Sequence, residues 1–306
     1  MFTHQIKFDD QTNLEIYIWG PEEESNVKGV VQIVHGMAEY MPRYSEFATF
    51  LANNGYVVIG CDLYAHGKTC NDLEELGKVT RYDFMMAVIK SVKIVYEEMV
   101  LDFYNVPHYL FAHSMGSMVA QRYIELYPDD FEKVILSGTD YPGFKYSLSK
   151  KITKLFTRKN KVIYSKFIDG LGAGGFNKNF RNEHPKYAWL SRDLRVAEAY
   201  ENDPYCGKMF PVDYYYSLSK MLVESNKKDN ILRINPGILI QIMSGSKDPV
   251  GANGQGPKKL NSSYNKYGIA SRLILYPEAR HECINELPGT KNKFFEDVLT
   301  FYNSDF

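Results

Sequence analysis

Phe111-Ala112-His113-Ser114-Met115-Gly116-Ser117 is the stretch on which the reading of this chain turns. An apolar, strand-like run over residues 108–112 precedes it. A helix-prone run over residues 118–127, stopping at Pro128, follows it. A serine on a sharp strand-to-helix turn, with small residues two before and two after, reads as a nucleophile elbow. Such a turn strains the serine backbone and presses strand against helix, so large side chains at the flanking positions would clash. Ala112 and Gly116 fill those positions here, where the commoner pattern has glycine at both. A helix beginning at Met115 aims free N–H groups and its positive dipole end at charge developing near Ser114.

Outward from the elbow, residues 27–34 form a nearly continuous apolar run ending at His35-Gly36-Met37. Residues 56–61 form another, ending in Asp62-Leu63-Tyr64-Ala65-His66-Gly67. Continuous apolar strands imply burial on both faces, hence a parallel sheet covered by helices. Residues 133–137, 237–243 and 272–276 add strands, and helices are predicted over 44–53, 80–100 (with Asp83 near its start) and 290–302. Residues 5–8 and 14–19 alternate around Asp9, Asp10 and Asn13, which predicts an antiparallel hairpin at the start of the sheet. Alternating strand and helix indicates an open α/β fold. From about residue 141 to 230 the chain turns polar, aromatic and helix-prone, without a buried strand. We therefore expect a core of residues 1–140 and 231–306, interrupted by an inserted helical cap, or lid, over 141–230. It would cover the strand C-terminal ends, the edge where open α/β sheets bind ligands.

The 306 residues suffice for one large domain with an insertion, and the net charge of -1 argues against a nucleic-acid partner. Cys61, Cys70, Cys206 and Cys283 show no CxxC spacing. With no signal peptide and no apolar run of membrane-spanning length, a reduced cytoplasmic protein is the expectation. Nothing in the sequence sets the oligomeric state.

A serine hydroxyl needs a base within reach, and the base needs an orienting carboxylate. In this architecture the chain order is Ser, then Asp or Glu, then His. Asp248 follows the strand at 237–243, in Ser244-Gly245-Ser246-Lys247-Asp248, and His281 follows the strand at 272–276, in Ala279-Arg280-His281-Glu282. Both fall at the sheet edge that carries Ser114. Asp140, also after a strand, is the rival acid. Two backbone donors for an oxyanion are expected at the N–H groups of Met37 and Met115, with Gly36 letting the chain turn towards the site.

These motifs, with Glu39-Tyr40, Arg43-Tyr44, Trp189-Leu190-Ser191-Arg192-Asp193 and Asn202-Asp203-Pro204, resemble the α/β-hydrolase family. Within it they look like the monoacylglycerol lipase / lysophospholipase-like branch, grouped with the S33-type serine aminopeptidases. Ala112 and Ser117 depart from the family's glycines. The resemblance covers nearly the whole chain and implies an α/β-hydrolase fold, a Ser114–His281–Asp248 triad and no cofactor. It also implies hydrolysis of a single-chain acyl ester, a monoacylglycerol or lysophospholipid. Phe144, Phe176, Trp189 and Tyr214 are the candidate substrate contacts. The alternatives are a general carboxylesterase, or an aminopeptidase binding a cationic amine through Glu198, Glu201 or Asp203. A ligand sensor without catalysis stands apart from both.

Other features have plainer readings. His113, His35 and His66 read as structural, and His4, His108 and His184 lack a catalytic context. None has metal-ligand spacing, so no metal is expected. Glu39 and Arg43 read as an exposed pair on a short helix. Lys145, Lys150, Lys151, Lys154, Arg158, Lys159, Lys161 and Lys166 interleave with apolar residues. That pattern is a solvated helix face or a basic segment suited to an anionic membrane or micelle surface. Gly172, Gly174 and Gly175 lack the rest of a phosphate loop and read as a hinge.

Overall fold

Among the described residues, eight strands make one sheet. β1 (Phe2–Lys7) and β2 (Asn13–Trp19) form the antiparallel hairpin. β3 (Gly29–Val34), β4 (Tyr56–Cys61), β5 (His108–His113), β6 (Lys133–Ser137), β7 (Leu239–Gly245) and β8 (Ser271–Tyr276) run parallel to one another. The order across the sheet is β1-β2-β4-β3-β5-β6-β7-β8. This computed structural model describes residues 1–21, 27–79, 82–158, 161–180, 182–183, 185–225 and 227–304. The predicted helix start at Thr80, together with Lys159 and His184, lies outside them.

Helices cover both faces, as the central strands buried on both sides require. They are α1 (Ser45–Asn53), α2 (Phe84–Asp102), α3 (Met115–Leu126), α4 (Phe144–Phe156), α5 (Lys166–Leu171), α6 (Leu194–Asn202), α7 (Val212–Ser225), α8 (Lys228–Ile231), α9 (Gln255–Lys266) and α10 (Pro288–Asn303). β3 is buried throughout, yet its side chains still divide between faces. Val31 and Ile33 join Phe47 of α1 and Phe294 of α10 in one core layer. Val30 and Val34 join Val88 and Val92 of α2 in the other. α2 starts at Phe84, later than the apolar pattern alone implies. Asp83 caps it, accepting from the Met86 N–H at 3.4 Å, and its carboxylate also binds Ser217 and Lys220 of α7.

The stretch between β6 and β7 is helical, from α4 through α8, with 3-10 turns at Ala173–Phe180 and Ala188–Leu190. α4 packs on α7, and α7 in turn on α2 and α3. Among the described residues no helix is long and apolar enough to cross a membrane.

The strand-to-helix turn after β5 sits at the centre of this frame. Ser114 has φ +54° and ψ -122°, and its N–H donates to the Ser137 carbonyl of β6 at 2.9 Å. α3 lies so close to β3 that a Cβ on Gly116 would stand 2.4 Å from the Val34 oxygen and 2.5 Å from that of His35. Both neighbours are backbone and cannot step aside. Ser117, the departure noted above, is accommodated because its hydroxyl donates back to the Ser114 carbonyl at 2.6 Å. Gly116→Ala is expected to destabilise the fold by about 3 kcal/mol, the upper part of the usual overpacking range. A urea midpoint unchanged from the native chain would contradict this.

Candidate active site

Ser114, Asp248 and His281 come from the ends of β5, β7 and β8, and the structure brings them together. His281 Nε2 lies 2.8 Å from Ser114 Oγ. His281 Nδ1 lies 3.0 Å from Asp248 Oδ1, a close approach in which the N–H points off the line to that oxygen. Asp248 is fully buried and is fixed by the Val250 N–H on Oδ1 at 2.9 Å and the Ser244 hydroxyl on Oδ2 at 3.4 Å. Asp140, the rival acid, is engaged elsewhere: it accepts the Tyr146 hydroxyl at 2.7 Å and pairs with Lys145. A hydroxyl, an imidazole and a carboxylate in this sequence can relay a proton from serine to histidine while the carboxylate holds the ring.

The other buried histidines differ in environment. Burial pushes His35 and His113 down to about 4 and His66 down to about 3, so all three are neutral at pH 7. Burial also disfavours the charged form of His281, but the Asp248 carboxylate outweighs it and raises His281 above its ordinary 6.5. The His35 tautomer follows from its partners. The Leu63 N–H donates to Nε2 at 2.9 Å, so Nδ1 carries the proton and donates to the Gly36 carbonyl at 2.8 Å. His35 thereby ties the loop after β3 to the loop after β4.

Met37 and Met115 line the same cavity as Ser114. Met115 is the first residue of α3, where an N–H has no intrahelical acceptor. The role of Gly36 differs from the expectation. The left-handed turn falls at Ala38, with φ +54°, while Gly36 makes room for its neighbours. A Cβ there would stand 2.5 Å from Glu39 Oε1 and 3.0 Å from the Ser114 Cβ.

The cavity has a volume of about 720 Å³ and runs beneath α4, α5 and α7. Phe176, Trp189 and Tyr214 line it, and Trp189 stacks 5.0 Å from the His281 ring. Phe144 does not. It stands 82% exposed, because α4 turns Tyr146, Ser149 and Ile152 inward and Phe144 falls roughly 200° around the helix from Tyr146. Gly172, which caps the C-terminus of α5, and Gly174, in the 3-10 turn that follows, line the cavity.

Glu39 and Arg43 are not an exposed pair. Their side chains are 5% and 12% exposed, and Arg43 forks onto Glu282 with Nη1–Oε1 2.8 Å and Nη2–Oε2 2.7 Å. Glu282 was the residue that sequence reasoning passed over. The signal was an acid beside the candidate base, with an arginine available far away in the chain. Among the described residues no group of three or more His, Cys, Asp or Glu side chains is arranged to hold a metal ion.

A family model described as serine aminopeptidase, S33, matches residues 25–288. A probable lysophospholipase L2 of Haemophilus influenzae is 31% identical over 120 residues, 39% of this chain and 37% of that protein. A monoacylglycerol lipase of Mycolicibacterium smegmatis is 25% identical over 187 residues, 61% of this chain and 59% of that protein. The chain thus spans less than two thirds of the length of either relative. A thermostable carboxyl esterase from Bacillus coagulans, solved with glycerol, superposes with a TM-score of 0.90 at 23% identity, covering 99% of this chain and 97% of that one. A soluble variant of the Saccharomyces cerevisiae monoglyceride lipase, solved with a substrate analogue, gives 0.76 at 17% identity, over 98% and 94%. These likenesses show a shared α/β-hydrolase fold.

Two titrations follow from the site. The His281 imidazole is expected to titrate above 6.5 by NMR, and Asp248→Asn to bring its midpoint down; no movement would contradict the dominance of that carboxylate. Burial would raise Glu282, but Arg43 outweighs it and holds the carboxyl at about 2, below its ordinary 4.5. A depressed carboxylate stabilises the fold fully above its unfolded value and loses that contribution as pH falls through the folded one. Unfolding free energy should therefore drop between about pH 4.5 and 2, and Glu282→Gln should flatten that part of the curve.

Proposed function

The chain belongs to the serine aminopeptidase S33 family, and on that premise we propose that it is a serine hydrolase of carboxylic esters. Its lead substrate is a single-chain acyl ester, a monoacylglycerol or lysophospholipid. The observation that carries this reading is the Ser114–His281–Asp248 line opening into a largely apolar cavity of about 720 Å³. His281 Nε2 takes the hydroxyl proton as Ser114 Oγ attacks the ester carbonyl. The Met37 and Met115 N–H groups receive the oxyanion. Collapse of the tetrahedral adduct expels the alcohol, which leaves with the proton from His281. Water, deprotonated by the same imidazole, then releases the acyl group as a carboxylic acid and regenerates the serine.

The charge of the cavity favours an ester over an N-terminal amide. Lys145, Lys166, Lys186 and Lys208 line it, and the one carboxylate lining it among the described residues, Asp169, already accepts the Tyr215 hydroxyl at 2.6 Å. The acids that an aminopeptidase would use are outside it. Asp203 accepts from Tyr40 at 2.9 Å and Glu201 from the Lys186 N–H at 3.0 Å, while Glu198 does not line the cavity. A cationic substrate amine would meet lysines there.

Residues 141–230 act in this reading as a cap that selects the substrate. Its outer surface exposes Phe144, Leu155, Phe156 and Phe167 among the lysines of α4 and α5. Exposed apolar side chains set among lysines suit transient contact with an anionic lipid surface.

A fluorophosphonate should label Ser114 in the folded protein and leave Ser114→Ala untouched; failure to label the native chain would overturn the hydrolase reading. Asp248→Asn should lower kcat by about 10⁴-fold, the scale for loss of the orienting carboxylate in a triad. Across esters of increasing acyl length and matched aminoacyl amides, long-chain esters should give the highest kcat/KM, and a preference for amides would refute the assignment. Reversing Lys150, Lys151 and Lys154 to Glu should reduce turnover of aggregated lipid while sparing a soluble short ester. An unchanged ratio would remove the surface-contact role.

A further inference from the structure

Glu39, Arg43 and Glu282 form a buried ion triplet between the two loops on which the proposed chemistry depends. On one side, Glu39 Oε1 accepts the Gly36 N–H at 2.6 Å and the Tyr44 hydroxyl at 2.9 Å. Its Oε2 meets Arg43 Nη1 at 2.5 Å. On the other side, Arg43 forks onto Glu282, the residue next to His281. The guanidinium also lies 4.8 Å over the Tyr200 ring, and the Tyr200 hydroxyl donates to the Ala38 carbonyl at 2.8 Å. Two routes from one cation therefore reach residues 36–38, and a third reaches the loop of the base. That loop is further held by the Glu282 N–H on the Leu190 carbonyl at 2.7 Å and by Asn285 on Glu282 Oε2 at 2.9 Å.

Stability alone is a weak account of this cluster. Burying charges is costly, and apolar residues of like volume commonly replace a buried triplet without loss. What apolar packing cannot do is set two loops at a defined distance and angle. A planar guanidinium with fixed N–H directions can.

We infer that Arg43 is a positioning residue: by clamping Glu39 to Glu282 it fixes the Met37 N–H and His281 Nε2 in one geometry around Ser114 Oγ. This rests on the hydrolase reading above. Donor and base must both be placed in the transition state, and a misplacement of about 1 Å can cost 10²-fold in rate. None of Glu39, Arg43 and Glu282 lines the cavity beneath α4 and α7, so loosening the clamp should lower kcat far more than it changes KM.

The test uses Glu39→Gln, Glu282→Gln and the double variant in the full chain. Each single variant leaves Arg43 paired with one carboxylate, so no buried charge stands alone and folding is preserved. Arg43→Met, which leaves two carboxylates unpaired, is the harsher companion. Active sites are counted by fluorophosphonate titration, and kcat and KM are measured on a short soluble ester. We expect each single variant to lose about 10-fold in kcat per active site, with KM within about twofold. The double variant strands the Arg43 guanidinium without a carboxylate and folds less well, but per titrated active site it should be little worse than the poorer single one, because either change breaks the same bridge. Rates per active site within about twofold of native in both singles would overturn the proposal. So would losses that simply multiply in the double variant, since they would make the two acids independent supports. Failure of the native chain to react with the fluorophosphonate would instead overturn the hydrolase reading beneath it.

Discussion

Ser114 holds a backbone geometry that relaxes only if the strand before it and the helix after it separate. A non-glycine residue at φ +54° costs of order 1–3 kcal/mol. The surroundings prevent relaxation at two points. The Ser114 N–H is bound to the neighbouring strand, and Gly116 lies against the carbonyls at the end of β3. Removing the side chain at 116 brings helix and strand close. That closeness places the start of α3 beside the loop that carries Met37. Most other features of the site follow from this approach, because the ends of β3, β5, β7 and β8 are then adjacent at one edge of the sheet.

Electrostatics divides the buried histidines into three kept neutral and one whose charged form is favoured. His35, His66 and His113 have carbonyl or hydroxyl partners and no carboxylate in direct contact, so desolvation governs them and keeps them neutral. His281 is as deeply buried, yet a carboxylate 3.0 Å away reverses the outcome. Arg43 and Glu282 show the same competition, with the bidentate geometry overcoming desolvation for the acid. In both of these cases the opposite charge in contact outweighs burial.

The elbow, the strand ends and the order of Ser114, Asp248 and His281 were legible in the sequence because each is a local pattern. An apolar run marks a buried strand, and a polar residue just beyond it falls at the sheet edge. Phe144 was misplaced because its side of α4 depends on where that helix begins and which face α7 covers. Glu39 and Arg43 resembled a solvated pair because their burial comes from Glu282 and Tyr200, far away in the chain. The start of α2 was obscured because Asp83 sets it by capping the N-terminus, while the hydrophobic pattern carries no such boundary. Local chemistry was readable, whereas contacts between distant segments had no signature of their own.

The strand order also sets a timetable for synthesis. β6 pairs with β5 on one side and with β7 on the other, and the whole helical segment is translated between β6 and β7. At a ribosomal rate of about 5–20 residues per second, roughly 100 intervening residues leave one edge of β6 without its partner for about 5–20 s. An unpaired strand edge in a growing chain invites aggregation. The helix α7, made in that interval with α4 against it, can already pack on α2 and α3. Asp248 and His281 emerge only afterwards, so the nascent chain holds a serine on its turn well before it holds the groups that would activate it.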